Sequence, residues 1–223
     1  MQRFKLESEM QSVVREWLAR RGLAVRAEVR TPWGYCDLVG CHLDEERTEQ
    51  RLQLGQTAPV GSPLLFDTLH RLPEATSRRT IGFRTLVRAY AGLLSEEDVA
   101  RNLDELVRSG HAVEPRPARY QKMNGWFPMH RELIAVELKL SRVAEAIGQA
   151  SANLAFADES YVALPRAAAE RAALDREDEF METGVGLLAA GMDCCYMLVC
   201  SCPVARPNLT LQASVVERFW EYA

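Results

Sequence analysis

Leu133-Ile134-Ala135-Val136-Glu137-Leu138-Lys139-Leu140 is an apolar run interrupted only by one acid and one base, two positions apart. A run of this length and β-branched content reads as the central strand of a sheet covered on both faces. Unpaired charge in such a strand is costly, so the two ionised residues need a reason to be there. Their spacing puts Glu137 and Lys139 on one face of the strand. Ser141 can cap a following helix, in which Val143, Ile147, Leu154 and Ala157 recur at helical spacing over the other face. Further along, 160–165 reads as a strand, 166–181 as an alanine-rich helix, and 185–190 and 194–200 as strands, the last one buried. A final helix is expected near 215–222. The β-α-β-α-β order predicts an α/β sheet with helices on both faces.

Upstream, Leu6, Met10, Val13, Val14, Trp17 and Leu18 form a helical stripe over 6–21, with Gly22 as its stop. A strand over 23–29, a Thr31-Pro32-Trp33-Gly34 turn and a strand over 35–39 follow, so Asp37 sits on the second arm of a hairpin. The charged run 44–51 and the turn-rich 55–63 read as an exposed connector. Helices are then expected over 63–72, 82–94 and 95–109, the last capped by Ser95, with Glu96, Glu97 and Asp98 in its first turn. A hairpin follows, its arms Ala112-Val113-Glu114 and Gly125-Trp126-Phe127 around a Pro-Arg-Pro tip. Three helices and a β-hairpin are the winged-helix pattern. The organisation predicted is 1–43 and 131–223 in one domain, with 44–130 inserted into it.

Composition narrows the function. Of 223 residues, 48% are hydrophobic and 26% charged, as in an ordinary globular protein, which excludes fibrous and disordered classes. Lys and Arg (27) against Asp and Glu (31) give a net charge of −4, so any polyanion site must be local. The opening residues Met1-Gln2-Arg3-Phe4-Lys5-Leu6-Glu7 hold no signal-peptide core, and no apolar run approaches the length of a membrane span. Six cysteines without an export signal point to a reducing, cytoplasmic setting and no membrane partner. Cys194, Cys195, Cys200 and Cys202 match no common zinc spacing and read as small buried thiols. No histidine has a partner in phase.

If the strands of Asp37 and Glu137 pair, two carboxylates meet beside a lysine, the donor set that a hard cation such as Mg²⁺ takes. On these residues the chain resembles the PD-(D/E)XK nuclease superfamily. The matching pieces are Glu7-Ser8-Glu9-Met10-Gln11 on the first helix, Gly34-Tyr35-Cys36-Asp37-Leu38-Val39, Val136-Glu137-Leu138-Lys139, and Gly148-Gln149-Ala150. The helical Glu7 and Gln11 pattern is similar to the VRR-Nuc type of that superfamily. The resemblance covers roughly 1–43 and 130–200, and what lies between looks like an insertion. The proline that often precedes the strand acid is Cys36 here.

The resemblance implies a restriction-endonuclease-like fold, a mixed central sheet flanked by helices, and Mg²⁺-dependent phosphodiester hydrolysis with Mn²⁺ as substitute. Asp37, Glu137 and the Leu138 carbonyl would hold the metal. Lys139 would position the attacking water, a first-helix acid would support it, and Gln149 would hold Lys139 or the substrate backbone. Glu7 is favoured over Glu9 for that acid, with both open. The expected substrate is nucleic acid, DNA rather than RNA, and dimers are common among such enzymes.

Plainer readings stand beside these. Asp37 can end a strand at an exposed turn, and Glu137 with Lys139 can be a surface pair worth under about 1 kcal/mol. The insertion carries twelve acids and twelve bases over 44–130, which is neutral for a DNA reader. Arg116, Arg119 and Lys122 on its wing, with Tyr120 and Trp126, are the candidates for phosphate contact and stacking, and Arg101 with Asn102, Glu105 and Arg108 for groove contact by its third helix. A protein-recruiting role for the insertion, or a nucleic-acid-binding protein that keeps the fold without cleaving, is the competing expectation.

Overall fold

The computed structural model of the chain describes residues 4–123, 129–203 and 205–220. In chain order, a 3₁₀ turn (Glu7–Met10) leads into α1 (Gln11–Arg20), β1 (Ala24–Thr31) and β2 (Gly34–Leu43). Then come α2 (Glu45–Gln53), α3 (Pro63–Arg71), β3 (Ile81–Gly82), α4 (Phe83–Ala89), α5 (Glu96–Arg108), β4 (Ala112–Arg116) and β5 (Arg119–Lys122). The remainder is β6 (His130–Leu138), α6 (Val143–Asn153), β7 (Glu159–Pro165), α7 (Arg166–Asp175), α8 (Glu177–Thr183), β8 (Gly186–Ala190), β9 (Cys195–Val199) and α9 (Leu209–Trp220). Two compact units result, Met1–His42 with His130–Val215, and Leu43–Met129 with Val216–Ala223.

The first unit is built on a mixed six-stranded sheet ordered β1-β2-β6-β7-β8-β9. β1 and β2 are antiparallel, β6, β7 and β8 run parallel, and β9 closes the far edge antiparallel to β8. Alternation along the strands sorts the two cores. Ile134, Val136 and Leu138 pack with Val14 and Leu18 of α1, whereas Val162, Leu164, Leu187 and Ala189 pack with Ala146, Ile147 and Ala150 of α6 and Ala169 of α7. The β6 body is therefore covered on both sides, and Glu137, out of phase with Val136 and Leu138, faces the α6 side. Gly186 is obligatory in β8: a Cβ there would lie 2.3 Å from the Tyr161 ring.

The second unit holds α2 to α5 and a three-stranded sheet ordered β3-β5-β4. Ser95 caps α5 by accepting the Asp98 amide, and Val99, Leu103 and Leu106 form its buried face. β4 and β5 join through Pro117 and Ala118, the latter at φ +56°.

Several expectations are corrected. The charged run 44–51 is no connector: Asp44 caps α2 by accepting the Arg47 amide, and Arg51 is fully buried. Its partner Glu217 lies in the last helix, far along the chain, so local composition gave no warning. The second hairpin arm is Arg119–Lys122, while the arm expected at Gly125-Trp126-Phe127 lies outside the described residues. Helix 82–94 stops at Ala89. Ser141 does not cap α6, because Arg142 occupies the N-cap in the left-handed region at φ 55°. The 166–181 helix breaks at Arg176 into α7 and α8. The strand at 194–200 is the sheet edge rather than a buried core strand, which leaves Cys194, Cys200 and Cys202 exposed and only Cys195 of that group buried. The final helix begins earlier, at Leu209, where the Asn208 side chain accepts the Thr210 and Leu211 amides. Its end, expected with the sheet, groups with the second unit through Glu217 and Trp220.

Candidate active site

β2 and β6 are sheet neighbours, and that adjacency brings Asp37 to Glu137. Asp37 Oδ2 accepts the Leu138 amide at 2.7 Å, so one carboxylate oxygen bridges the two strands. The backbone around it is irregular: Glu28, which the β1–β2 register places opposite Asp37, has φ +52°. Cys36 reaches toward α6, while Leu38 packs in the α1 core. Simple alternation would put those two on one face, so the strand changes sides at the acid.

Glu137 is 4% exposed. Asn153 of α6 donates to its Oε1 at 2.7 Å. Burial pushes the Glu137 carboxyl up to about 7, opposed by the Asn153 hydrogen bond, reinforced by the charge of Asp37 and opposed by that of Lys139. Glu137 thus carries a desolvated carboxyl beside a second acid, and its ionised form is costly. Cys36 lies against the same Asn153 amide, and its thiol is pushed well up by burial and then by the Glu137 charge, which keeps it neutral.

Lys139 follows β6 directly. Its amide donates to the Ala163 carbonyl at 3.1 Å, and its Nζ lies 3.8 Å from Glu7 Oε2, with the side chain 12% exposed. The other Glu7 oxygen accepts the Leu140 amide at 3.3 Å. Glu9, the alternative, turns away and accepts the Lys5 and Leu6 amides. Glu7 therefore faces Lys139, and Asp37 faces Glu137, with the Lys139 charge felt at Glu137.

Gln149 does not join them in the same way; it is exposed on α6. The amide that holds Glu137 belongs to Asn153, one turn later. A second residue not singled out as a site from the sequence, Trp33, donates through Nε1 to Asn153 Oδ1 at 3.1 Å. The missed signal was a polar residue on the apolar face of a helix: Ala146, Ile147, Ala150 and Asn153 form the buried stripe of α6. A buried amide there needs partners at both ends, and it has them.

In the second unit, Arg116 and Arg119 pair across the hairpin and are exposed, Lys122 lies at the end of β5, and exposed Arg101 pairs with Asp98 on α5. Among the described residues, no group of three or more His, Cys, Asp or Glu side chains is arranged to hold a metal ion. No described helix is long and apolar enough to cross a membrane. No protein-family model matches this chain, and comparison with curated proteins and with solved structures finds no match.

Proposed function

We propose that the chain is a divalent-metal-dependent nuclease of the restriction-endonuclease-like fold, hydrolysing phosphodiester bonds in DNA rather than RNA. The observation that carries the reading is the buried Glu137 carboxyl placed against a second acid, Asp37, with Lys139 beside them. The donor set suits a cation: a positive charge held by these groups would offset the cost of ionising the buried Glu137 carboxyl beside a second acid. Asp37, Glu137 and the Leu138 carbonyl are assigned to hold Mg²⁺ or Mn²⁺. When bound, the ion lowers the pKa of water and neutralises charge on the phosphate.

The chain's own residues supply the rest. Asn153 fixes the orientation of Glu137, and the Leu138 amide fixes that of Asp37. Lys139, tethered by Glu7, presents an ammonium to the attacking water and to the phosphate oxygens. Water adds to phosphorus as the P–O ester bond breaks, and the proton that the water gives up is balanced by the one the departing oxygen takes up. For the second unit, the order of helices, short strand and hairpin supports a winged-helix reading, with Arg116, Arg119, Lys122 and Arg101 assigned to phosphate contact.

The test is cleavage of single-stranded, duplex and branched DNA by the purified chain in Mg²⁺ or Mn²⁺. Cleavage should fall by about 10²–10³ in Lys139→Ala and in Asp37→Asn, the scale of losing one electrostatic group from such a site. Cleavage by the parent no faster than by Lys139→Ala would overturn the reading and favour a binding protein that keeps the fold.

A further inference from the structure

The hairpin of β1 and β2 carries two exposed aromatic rings next to the carboxylate pair. Trp33 is 44% exposed and Tyr35 66% exposed. Trp33 is not a loose surface side chain. One ring face stacks on the buried Phe156, with centroids 6.2 Å apart and planes at 24°. Its Nε1–H is fixed on Asn153, so the ring cannot rotate freely and its outer face is held toward solvent. Only the Asn153 amide separates that ring from Glu137, with contacts of 3.1 Å and 2.7 Å on its two ends. Across the hairpin, register sets Arg30 directly opposite Tyr35, and both are exposed. On α6, exposed Gln149 lies one turn before Asn153 on the same helix face, offering a donor and an acceptor.

We infer that this hairpin is a stacking platform for an unpaired nucleic-acid strand, with the outer face of Trp33 taking the base next to the scissile phosphate and Tyr35 with Arg30 taking the neighbouring nucleotide. The inference rests on the nuclease reading and adds a substrate class, single-stranded or frayed ends over intact duplex. The chemistry is specific to that occupant. An aromatic face accepts any base once it is unstacked, and a guanidinium beside a second ring pairs with phosphate while stacking on π systems. A ring already locked by Phe156 and Asn153 loses little freedom on binding, so the contact is preorganised. Duplex DNA keeps its bases stacked on one another and presents no free face to Trp33.

The experiment uses the full chain with a short fluorescein-labelled oligothymidine and its duplex, in EDTA so that no cleavage occurs, reading anisotropy and tryptophan emission. Single-strand binding should quench part of the emission, and that part should be missing in Trp33→Ala. Stacking energies of about 1–3 kcal/mol per base predict a loss of roughly five- to 150-fold in single-strand affinity for Trp33→Ala, and a loss in the same direction for the more exposed Tyr35→Ala. Duplex binding should change less than about twofold. Single-strand affinities of both variants within about twofold of the parent would overturn the platform, as would equal losses on duplex. Cleavage in Mg²⁺ separates the two readings. Quenching without cleavage keeps the platform and removes the nuclease. Cleavage by Trp33→Ala at the parent KM removes the platform and keeps the nuclease.

Discussion

Two glutamates of this protein are buried to the same degree, Glu137 in the first unit and Glu217 in the second, each 4% exposed. Their surroundings differ completely. Glu217 accepts from two guanidinium nitrogens of Arg51, at 2.5 and 2.9 Å, and from the Val60 amide at 2.7 Å. Arg51 also donates to the Gln56 and Ala58 carbonyls and stacks its guanidinium 4.0 Å above the Trp220 ring. The Glu217 charge is compensated within the fold by a paired guanidinium and a backbone amide. Glu137 meets one amide and a second acid, with the Lys139 charge as a smaller opposing influence. Equal burial therefore does not mean equal compensation, and on the proposed reading only Glu137 gains from a cation arriving later.

The largest effect that would break this comparison is on stability. Glu217→Ala leaves Arg51 buried without its counter-charge, which should cost about 3–5 kcal/mol and be visible in chemical denaturation followed by tryptophan emission. Replacing both partners by apolar residues of similar volume should recover much of that loss, since the desolvation cost disappears with the charges. If Glu217→Ala unfolds at the parent's midpoint, the pair is not the fastening of the second unit that its geometry describes.

Glu137→Gln should act in the opposite sense. The folded carboxyl is raised to about 7, against 4.5 for an ordinary glutamate, so the native state favours its protonated form. That contribution is fully present below about pH 4.5 and is lost as pH rises through about 7. The glutamine variant should therefore be more stable than the parent at pH 8, by up to about 2–3 kcal/mol, and nearly equal to it at pH 4.5, while having lost cleavage. Added Mg²⁺ should stabilise the parent and not the variant. The second unit should run the other way. His111 is held down to about 4 by burial and then by the Arg51 charge, so stability present above about 6.5 is lost as pH falls toward 4. Amide hydrogen exchange resolves the two slopes, with acid loosening the amides around His111 and alkali those around Glu137.

Much of this arrangement was written in the order of residues. The apolar run with Glu137 and Lys139 is the body of a strand covered on both faces, and the hairpin acid sits on the neighbouring strand. Those features depend on periodicity and on short-range rules, which a sequence carries openly. What stayed hidden depended on distant partners. Arg51 looked like one more charge in a solvated run because Glu217 lies 166 positions away. Asn153 gave no sign of its role because its two partners, Trp33 and Glu137, come from other elements. The choice between Glu7 and Glu9 was set by a 3₁₀ turn, in which a one-residue change of pitch decides which acid faces the strand ends.

That choice yields the smallest effect. The Glu7 carboxylate is partly exposed and stands 3.8 Å from Lys139, a separation at which an ion pair contributes under about 1 kcal/mol to stability. Glu7→Gln should therefore leave the denaturation midpoint almost unchanged, since the glutamine oxygen can still accept the Leu140 amide. Its effect on cleavage should be larger than its effect on stability. Without the carboxylate, Lys139 loses the charge that holds it beside the acids, and kcat should fall about tenfold with little change in KM, the signature of an interaction that matters mainly in the transition state. Glu9→Gln is the matched control: it removes a charge from the same turn, but one engaged with the Lys5 and Leu6 amides rather than with Lys139. Equal losses of kcat in the two variants would mean that the turn as a whole, and not the single carboxylate facing Lys139, supports the site.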